Sequence, residues 1–308
     1  MSLRPPAEPP AVGRPPVGRR LLVVGRDPGV TAVIAVGLRP RFETETGTTG
    51  AEALAHFAPE PLSLIIADLA QGDLDAAFSI RALAARSPDC QIIVIGSIEH
   101  AGIVDRLAGL HVYGFFTRPV DFGALVARVS SLSADEDSAE NGALALSRSS
   151  AKVLEFLSAH YADSFNLQTL ARAVGVSPGN MARVFLHDTK RNLCSFRCDV
   201  RVEVAKQLLV HEDHKLDRVA EMTGFVDGSH LSRVFRLYTG RSPGQYRIEL
   251  RSPRPEDAQG VYVQRGCGPR RIDLSPVPLR GQSGAQCAMK RAASAGARSG
   301  HRAAPSNP

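Results

Sequence analysis

Residues 170–185 read LARAVGVSPGNMARVF, and residues 219–235 read VAEMTGFVDGSHLSRVF. The two stretches align from end to end, with one additional residue at the centre of the second. In both, apolar residues recur at helical spacing on either side of a glycine, the residue that most easily takes the left-handed backbone that ends a helix. A repeat of this kind indicates that one supersecondary unit is built twice. The predicted unit is a pair of helices joined by a tight turn.

The residues around each turn have the types that end one helix and start the next. Gly175 and Gly224 are predicted to end the first helices. Ser177 and Asp227 are predicted to cap the second helices, and Pro178 takes the first helical position. The short polar and arginine side chains left on each second helix suit contacts with base edges and phosphates.

A connecting helix is predicted between the two units, from about residue 194 to about residue 210. Phe196, Val200 and Leu209 belong to its apolar stripe. At 1.5 Å per residue this helix is about 25 Å long. A spacer of that length can hold the two second helices about 34 Å apart, which is one turn of B-DNA, so that both could enter successive major grooves.

Further motifs surround the two units, namely NL at 166–167, GFVDGSHLSRVF at 224–235 and GRSPGQYR at 240–247. With these motifs, residues 150–247 resemble the DNA-binding domain of the AraC/XylS family of transcriptional regulators. The resemblance implies sequence-specific binding of double-stranded promoter DNA by an all-α domain with two helix-turn-helix units. It implies base-reading positions at Gly179, Asn180, Ala182, Arg183, Gly228, Ser229, Ser232 and Arg233.

Four cations close to the units are candidates for phosphate contacts, or else ordinary surface charges: Lys190, Arg191, Arg236 and Arg241. The chain departs from the family pattern at Lys190, where glycine is usual. Gly179 and Ala182 have no side chain that forms hydrogen bonds. The first unit is therefore expected to read bases mostly through Arg183.

Four continuous apolar runs precede this region, and they are predicted to form strands at 21–24, 64–67, 92–95 and 112–116. Such runs suit parallel strands that are covered on both faces, and helical patterns lie between them. Residues 21–132 are therefore predicted to form a doubly wound α/β domain. In such a sheet the functional crevice lies at the carboxyl ends of the strands.

This segment also resembles the receiver domain of bacterial response regulators, in TGAEAL at 49–54, IADL at 66–69 and FTRP at 116–119. The resemblance implies a flavodoxin-like fold and places the phosphoacceptor position at Asp68. It also implies an acidic pair that holds Mg²⁺ and a lysine before a proline, but Gly25 and Arg26 take the first two positions and Arg118 takes the third. We therefore expect a receiver-like domain without ordinary phosphorylation, in which Asp68 forms an ion pair with Arg26 or Arg118.

Composition and charge divide the chain into five segments. These are a disordered arm at 1–20, the α/β domain at 21–132, an acidic linker at 133–148, the helical domain at 149–250 and a basic disordered tail at 251–308. The formal net charge is −4 over residues 1–150, +3 over 151–250 and +7 over 251–308. Contact with a polyanion is therefore expected toward the C-terminus.

The chain has 308 residues, of which 44% are hydrophobic and 22% charged, and this composition excludes a collagen and a coiled-coil rod. No apolar run approaches the roughly 18 residues of a membrane span, and the N-terminus has no apolar signal segment. Five scattered cysteines form no paired framework, which favours the cytoplasm. The sequence contains no catalytic triad, metal-ligand set or phosphate loop, so we expect no enzyme, no metal and no cofactor.

These observations favour a cytoplasmic transcription factor that regulates bacterial promoters, with RNA polymerase as a further partner. The α/β domain would serve signal intake or a homodimer formed through residues 21–132. Two alternatives stay open. One is a two-component response regulator that phosphorylation switches. The other is a non-specific DNA-binding protein or protein–protein adaptor, because Gly179 and Ala182 weaken base reading by the first unit.

Overall fold

The computed structural model describes residues 19–56, 61–69, 74–97, 103–132, 146–211 and 214–251. The segments predicted as an arm, a linker and a basic tail lie almost entirely outside these residues. The described residues form two parts, an α/β part over 19–132 and a helical part over 146–251.

The α/β part is built on a five-stranded parallel sheet with the order β2-β1-β3-β4-β5. The strands are β1 (Arg20–Gly25), β2 (Glu43–Gly47), β3 (Leu64–Asp68), β4 (Gln91–Gly96) and β5 (Val112–Thr117). This architecture is compatible with the predicted flavodoxin-like fold. The prediction of four strands was wrong in number, because it missed β2. The sequence of β2 is ETETG, and an edge strand of this kind contributes little to the apolar core and so gives no apolar run.

The helices of this part are α1 (Pro28–Leu38), α2 (Gly50–His56), α3 (Leu74–Arg86), α4 (Ile103–Arg106) and α5 (Phe122–Leu132). Helix α1 has the sequence PGVTAVIAVGL, which contains no charged residue. Every residue from Gly29 to Val36 is buried, and so is Leu38. A helix that is apolar on all sides is typical of a position between two layers.

The helical part contains seven helices over its described residues. They are α6 (Arg148–His160), α7 (Leu167–Val174), α8 (Pro178–Thr189), α9 (Leu193–His211), α10 (Leu216–Thr223), α11 (Gly228–Thr239) and α12 (Pro243–Arg251). Helices α7 and α10 end as predicted at glycines with left-handed backbone, Gly175 with φ +80° and Gly224 with φ +74°.

The starts of α8 and α11 differ in how they are capped. The Asp227 carboxylate accepts a hydrogen bond from the His230 backbone N–H at 2.6 Å, as the sequence predicted. Ser177 has the extended backbone of a capping residue, but its side chain makes no capping hydrogen bond, so this part of the prediction was wrong. Pro178 presets the backbone of the first turn, and the start of α8 therefore does not depend on the serine hydroxyl.

One apolar core extends from the sheet into the helical part. It includes Ile66 of β3, Val33 of α1, Leu157 of α6 and Phe196 of α9, all of which are fully or almost fully buried. Helix α1 contacts β1 on one side and α6 and α9 on the other. A separate core, which includes Leu231 and Phe235, packs α10 and α11 against the second half of α9. The connecting helix α9 is therefore shared by both cores.

Candidate nucleic-acid interface

Helices α8 and α11 each present polar side chains on the face away from the core. Asn180 and Arg183 are exposed on α8, and Ser229 and Arg233 are exposed on α11. A guanidinium N–H of Arg183 donates to the Asn180 side-chain carbonyl at 3.1 Å, so the two side chains act together. Four of the eight predicted base-reading positions are thus accessible polar side chains.

The opposite faces of these two helices fix their orientation. Met181 and Phe185 of α8 are 1% exposed, and Leu231 and Phe235 of α11 are fully buried. The Phe185 ring also packs edge-on against the Phe196 ring of α9, with 5.3 Å between ring centroids. Because Arg183 lies two residues from Phe185 and Arg233 two residues from Phe235, burial of the two rings directs both arginines outward.

Three of the remaining predicted positions offer little for base reading. Gly179 is exposed and Ala182 is half-buried, and neither has a polar side chain. The half-buried Ser232 hydroxyl donates to the Gly228 carbonyl at 2.8 Å, which occupies its donor.

The prediction for Gly228 was wrong. Gly228 is buried, and its backbone N–H donates to the Asp217 carboxylate at 2.9 Å. A Cβ atom at this position would lie 2.7 Å from the same carboxylate oxygen and 3.2 Å from the Asp217 backbone nitrogen, so α10 approaches this glycine closely. The glycine joins α10 to α11 and has no face for a base.

Of the four predicted phosphate contacts, three side chains are exposed and one is buried. Lys190, Arg236 and Arg241 are exposed, although Arg241 forms an ion pair with Glu249. The prediction for Arg191 was wrong, because its side chain is 8% exposed and forms an ion pair with Asp199 of α9 at 2.6 Å. The Thr189 hydroxyl donates to the Arg191 carbonyl at 3.1 Å and shapes the turn that leads this arginine inward.

Asp199 lies in a poorly solvated position. Its burial raises its pKa to about 6, although the positive charges of Arg191 and Arg39 lower it in part. The side chain is 2% exposed, so the loss of water outweighs the attraction to the two guanidinium groups. Arg191 and Asp199 are therefore part of the scaffold beneath α8 and do not form a contact surface.

Arg201 of α9 contributes a connection that the sequence reading did not assign. Its guanidinium donates to the carbonyl of Tyr161 at 2.6 Å, next to α6, and to the carbonyl of Gly224 at 2.7 Å, in the turn between α10 and α11. It also donates to the carbonyls of Ala162 and Asp163, at 3.2 and 3.0 Å. One side chain thus holds the loop before α7 against the turn of the second helix pair. Arg201 is one of the residues that match the AraC/XylS pattern, but that match assigned it no role.

The C-terminal ends of α8 and α11 differ by one residue type. Gly240 ends α11 with φ +73°, and Lys190 ends α8 with φ +58°. Lys190 is the one described residue other than glycine that has a positive φ. The left-handed backbone costs an L-residue about 1–2 kcal/mol, so the lysine is held in a strained conformation.

The crevice at the carboxyl ends of the strands is occupied by an arginine. An Arg118 guanidinium nitrogen lies 2.5 Å from both carboxylate oxygens of Asp68. A second nitrogen of Arg118 lies 3.4 Å from the Asp27 carboxylate, whose other oxygen accepts the backbone N–H groups of Gly29 and Val30 at the start of α1. Of the two partners expected for Asp68, the ion pair is thus with Arg118.

The pKa of Asp68 lies above the ordinary value of an aspartate. Burial raises the pKa of Asp68 to about 6, and the positive charge and hydrogen bond of Arg118 offset only part of that rise. A cavity of about 230 Å³ opens beside it, lined in part by Gly25, Thr48 and Leu83. Within the described ranges, no three His, Cys, Asp or Glu side chains are grouped closely enough to hold a metal ion.

None of the described helices is both long enough and apolar enough to cross a membrane.

Comparisons with known proteins identify a helix-turn-helix region in this chain. A family model described as a helix-turn-helix domain matches residues 170–248. The HTH-type transcriptional regulator YijO of Escherichia coli is 31% identical over 100 residues, which cover 32% of this chain and 35% of that protein. The arabinose operon regulatory protein of E. coli is 34% identical over 94 residues, which cover 30% and 32%. The HTH-type transcriptional regulator RipA of Corynebacterium glutamicum is 35% identical over 99 residues, which cover 32% and 30%.

A solved structure is also similar to this region. It is the DNA-binding domain of AdpA, a global transcriptional factor, in complex with a target DNA. The match is 32% identical, covers 37% of this chain and all of that domain, and has a TM-score of 0.34.

The chain spans about a third of the length of the curated relatives it matches. These relatives are named as transcriptional regulators and not as enzymes. The family model covers the helices that carry Arg183 and Arg233. Residues 170–248 are therefore a helix-turn-helix domain of the AraC type.

Proposed function

We propose that this protein is a sequence-specific regulator of transcription that binds double-stranded promoter DNA through two helix-turn-helix units, α7–α8 and α10–α11. The observation that carries the proposal is the pair of exposed arginines, Arg183 and Arg233, on two helices whose opposite faces are buried. Exposed arginine beside a short polar residue is the combination that recognises base edges in the major groove.

The length of the connecting helix supports binding by both units at once. Helix α9 has 19 residues and is about 28 Å long. Two units that enter successive major grooves on one face of B-DNA must be separated by about 34 Å. The connecting helix is shorter than this separation, but α8 and α11 lie before and after it in the chain and can add the remaining distance.

The two units are expected to contribute unequally to sequence preference. Each helix supplies two accessible polar side chains, Ser229 and Arg233 on α11 and Asn180 and Arg183 on α8, but the Asn180 carbonyl already accepts a hydrogen bond from Arg183. Lys190, Arg236 and Arg241 would contact phosphates on either side and position the protein without reading bases. Sequence preference should thus be strongest under α11.

We assign to the α/β part a receiver-like role without ordinary phosphorylation. Arg118 already neutralises Asp68, and the acidic pair of a working receiver is replaced by Gly25 and Arg26. Signal intake or formation of a homodimer through residues 21–132 remains the proposed task of this part. A cytoplasmic location and contact with RNA polymerase belong to the same proposal.

A binding selection on random duplexes tests the proposal against its rivals. The full chain should enrich a motif with two segments about one helical turn apart, and the R233A variant should lose one of them. Enrichment of no motif would favour a non-specific DNA-binding protein or a protein–protein adaptor. Enrichment only after treatment with a small phosphodonor and Mg²⁺ would favour a response regulator switched by phosphorylation.

A further inference from the structure

Helix α1 belongs to the α/β part but is enclosed by the helical part. Its residues from Gly29 to Val36 are buried, and it contacts α6 and α9 as well as the sheet. The approach is close, since a Cβ atom at Gly29 would lie 2.0 Å from the Ser158 carbonyl of α6. If the two parts separated, α1 would expose an apolar face that carries no charged residue.

A buried polar cluster lies next to this apolar contact. Glu203 of α9 is 3% exposed, and its carboxylate accepts hydrogen bonds from the Thr46 hydroxyl of β2 at 2.9 Å and from Lys206 at 3.0 Å. Arg39, directly after α1, donates to the same carboxylate. These positive charges lower the pKa of Glu203 to about 2 against the opposing effect of burial. A carboxylate that is paired this well holds α9 in one register against α1 and β2.

The helix held in this way is the one that connects the two helix pairs. The first half of α9 packs in the core that contains Phe185 of α8, and the second half packs in the core that contains Phe235 of α11. Arg201, two residues before Glu203, ties the same helix to the turn at Gly224. A change in the position of Glu203 would therefore be transmitted to both DNA-facing helices.

We propose that α1 and β2 act as a clamp on α9, through Arg39, Thr46 and Glu203, and thereby fix the separation and relative orientation of α8 and α11. In this way the α/β part sets which spacing of DNA segments the protein binds. The second statement rests on the proposed function, whereas the clamp itself is a property of the folded chain and can be tested without DNA.

The clamp is tested by hydrogen–deuterium exchange on the full-length E203Q and R39M variants. The matched control is R106M, which replaces an exposed arginine on α4 near the opposite edge of the sheet. We expect amide exchange in the second half of α9 and in α10 and α11 to rise at least fivefold in the two clamp variants. Exchange in β1, β3 and β4 should stay as in the wild type.

Two outcomes would overturn the clamp. One is exchange in α9–α11 that is the same in E203Q, R39M and R106M. The other is a uniform rise over the whole chain, which would indicate general loss of stability. Where E203Q does not fold, T46V takes its place, because it removes one hydrogen bond and leaves the ion pairs intact.

A spacing assay connects the clamp to DNA. The duplex enriched by the wild type is compared with a duplex that has one base pair inserted between the two segments. The wild type should bind the longer duplex at least tenfold more weakly, and R39M should reduce this difference to less than threefold. An unchanged ratio would contradict the effect on spacing. If the wild type enriches no duplex, the proposed function fails while the exchange result stands on its own.

Discussion

The Arg118 guanidinium lies 2.5 Å from both carboxylate oxygens of Asp68, across the carboxyl ends of β5 and β3. The cation therefore stands where a divalent metal and a phosphoryl group would meet in a working receiver. A carboxylate whose two oxygens both lie against an arginine is a poor nucleophile for a phosphodonor.

Treatment with acetyl phosphate and Mg²⁺ should therefore leave the mass of the intact protein unchanged. Arg118 already pairs with the Asp68 and Asp27 carboxylates of this crevice, so a metal ion would have to displace the arginine before it could bind there. Mass spectrometry before and after incubation is the measurement, and D68A is the control. An adduct of about 80 Da (one phosphoryl group) on the wild type that is lost in D68A would show that the crevice transfers phosphate.

The R233A variant should bind its preferred duplex about 1–3 kcal/mol more weakly and should lose preference at the base that Arg233 contacts. The reason is that a buried base edge would be left without its hydrogen-bond donor. Titration against duplexes with single substitutions measures this, with R183A as the parallel test of α8. Equal weakening on all sequences would mean that Arg233 touches phosphate only.

Arg191 and Arg236 should behave as opposites when each is replaced. R191M leaves Asp199 buried without its partner, so the free energy of unfolding should fall by about 3–5 kcal/mol while the salt dependence of DNA binding stays the same. R236A removes an exposed phosphate contact, so the slope of log affinity against log salt should become about 1 less steep with stability unchanged. Urea unfolding and binding at three salt concentrations measure both. A less steep salt dependence in R191M, with unchanged stability, would mean that Arg191 contacts phosphate.

The K190G variant should be more stable than the wild type by about 0.5–1 kcal/mol. Glycine takes the positive φ of this position without the clash of a Cβ atom, although it adds entropy to the unfolded chain. The control is H187G in the same helix, which should lower stability by about 1 kcal/mol because the backbone there is helical. Urea unfolding compares them, and a loss of stability in K190G would show that the lysine side chain stabilises the turn.

Stability should rise on the order of 1 kcal/mol as the pH falls from 8 to 5. Asp68 and Asp199 have pKa values of about 6 in the folded state, above the ordinary value of an aspartate. Between the folded and unfolded pKa values the folded chain binds more protons, so the cost of burying the two charges falls as they are neutralised. Urea unfolding of D199N over this range should show a flatter profile. A profile in D199N as steep as in the wild type would exclude Asp199 as a source.

Below about pH 4.5 a different group controls stability. The folded pKa of Glu203 is lowered to about 2. The ionised carboxylate therefore stabilises the folded state above the unfolded pKa of a glutamate, and this stabilisation is lost as the pH falls toward 2. The difference in stability between the wild type and E203Q should therefore shrink between pH 5 and pH 2. A difference that stays constant would mean that the Glu203 charge does not stabilise the fold.

The parts of the fold that repeat or follow strong periodicity could be predicted from the sequence. The turns at Gly175 and Gly224 and the cap at Asp227 depend on neighbours only a few residues away, so local residue types determine them. The strand β2 could not be predicted in this way, because its polar sequence is tolerated only at the edge of a sheet.

The errors at the candidate site have the same origin. Arg191 and Gly228 were assigned by their place in a motif. In the structure, Arg191 forms a buried ion pair with Asp199, and the Gly228 N–H donates to the Asp217 carboxylate. Both partners come from other helices, and single-sequence patterns do not reveal which helices meet. The enclosure of α1 did leave a signal, since eleven residues without a charge have no side that suits water.

The all-apolar character of α1 limits how this chain can be recombined. A chimera that joined residues 146–251 to a foreign sensory module would expose the surfaces of α6 and α9 that share a core with Val33 and Ile34. It would also leave the Glu203 carboxylate without its hydrogen bond from Arg39. Such hybrids should precipitate or bind chaperones, even where the graft point lies within the segment at 133–145. Replacement of residues 21–132 by another module would require matching changes on α6 and α9, where α1 packs.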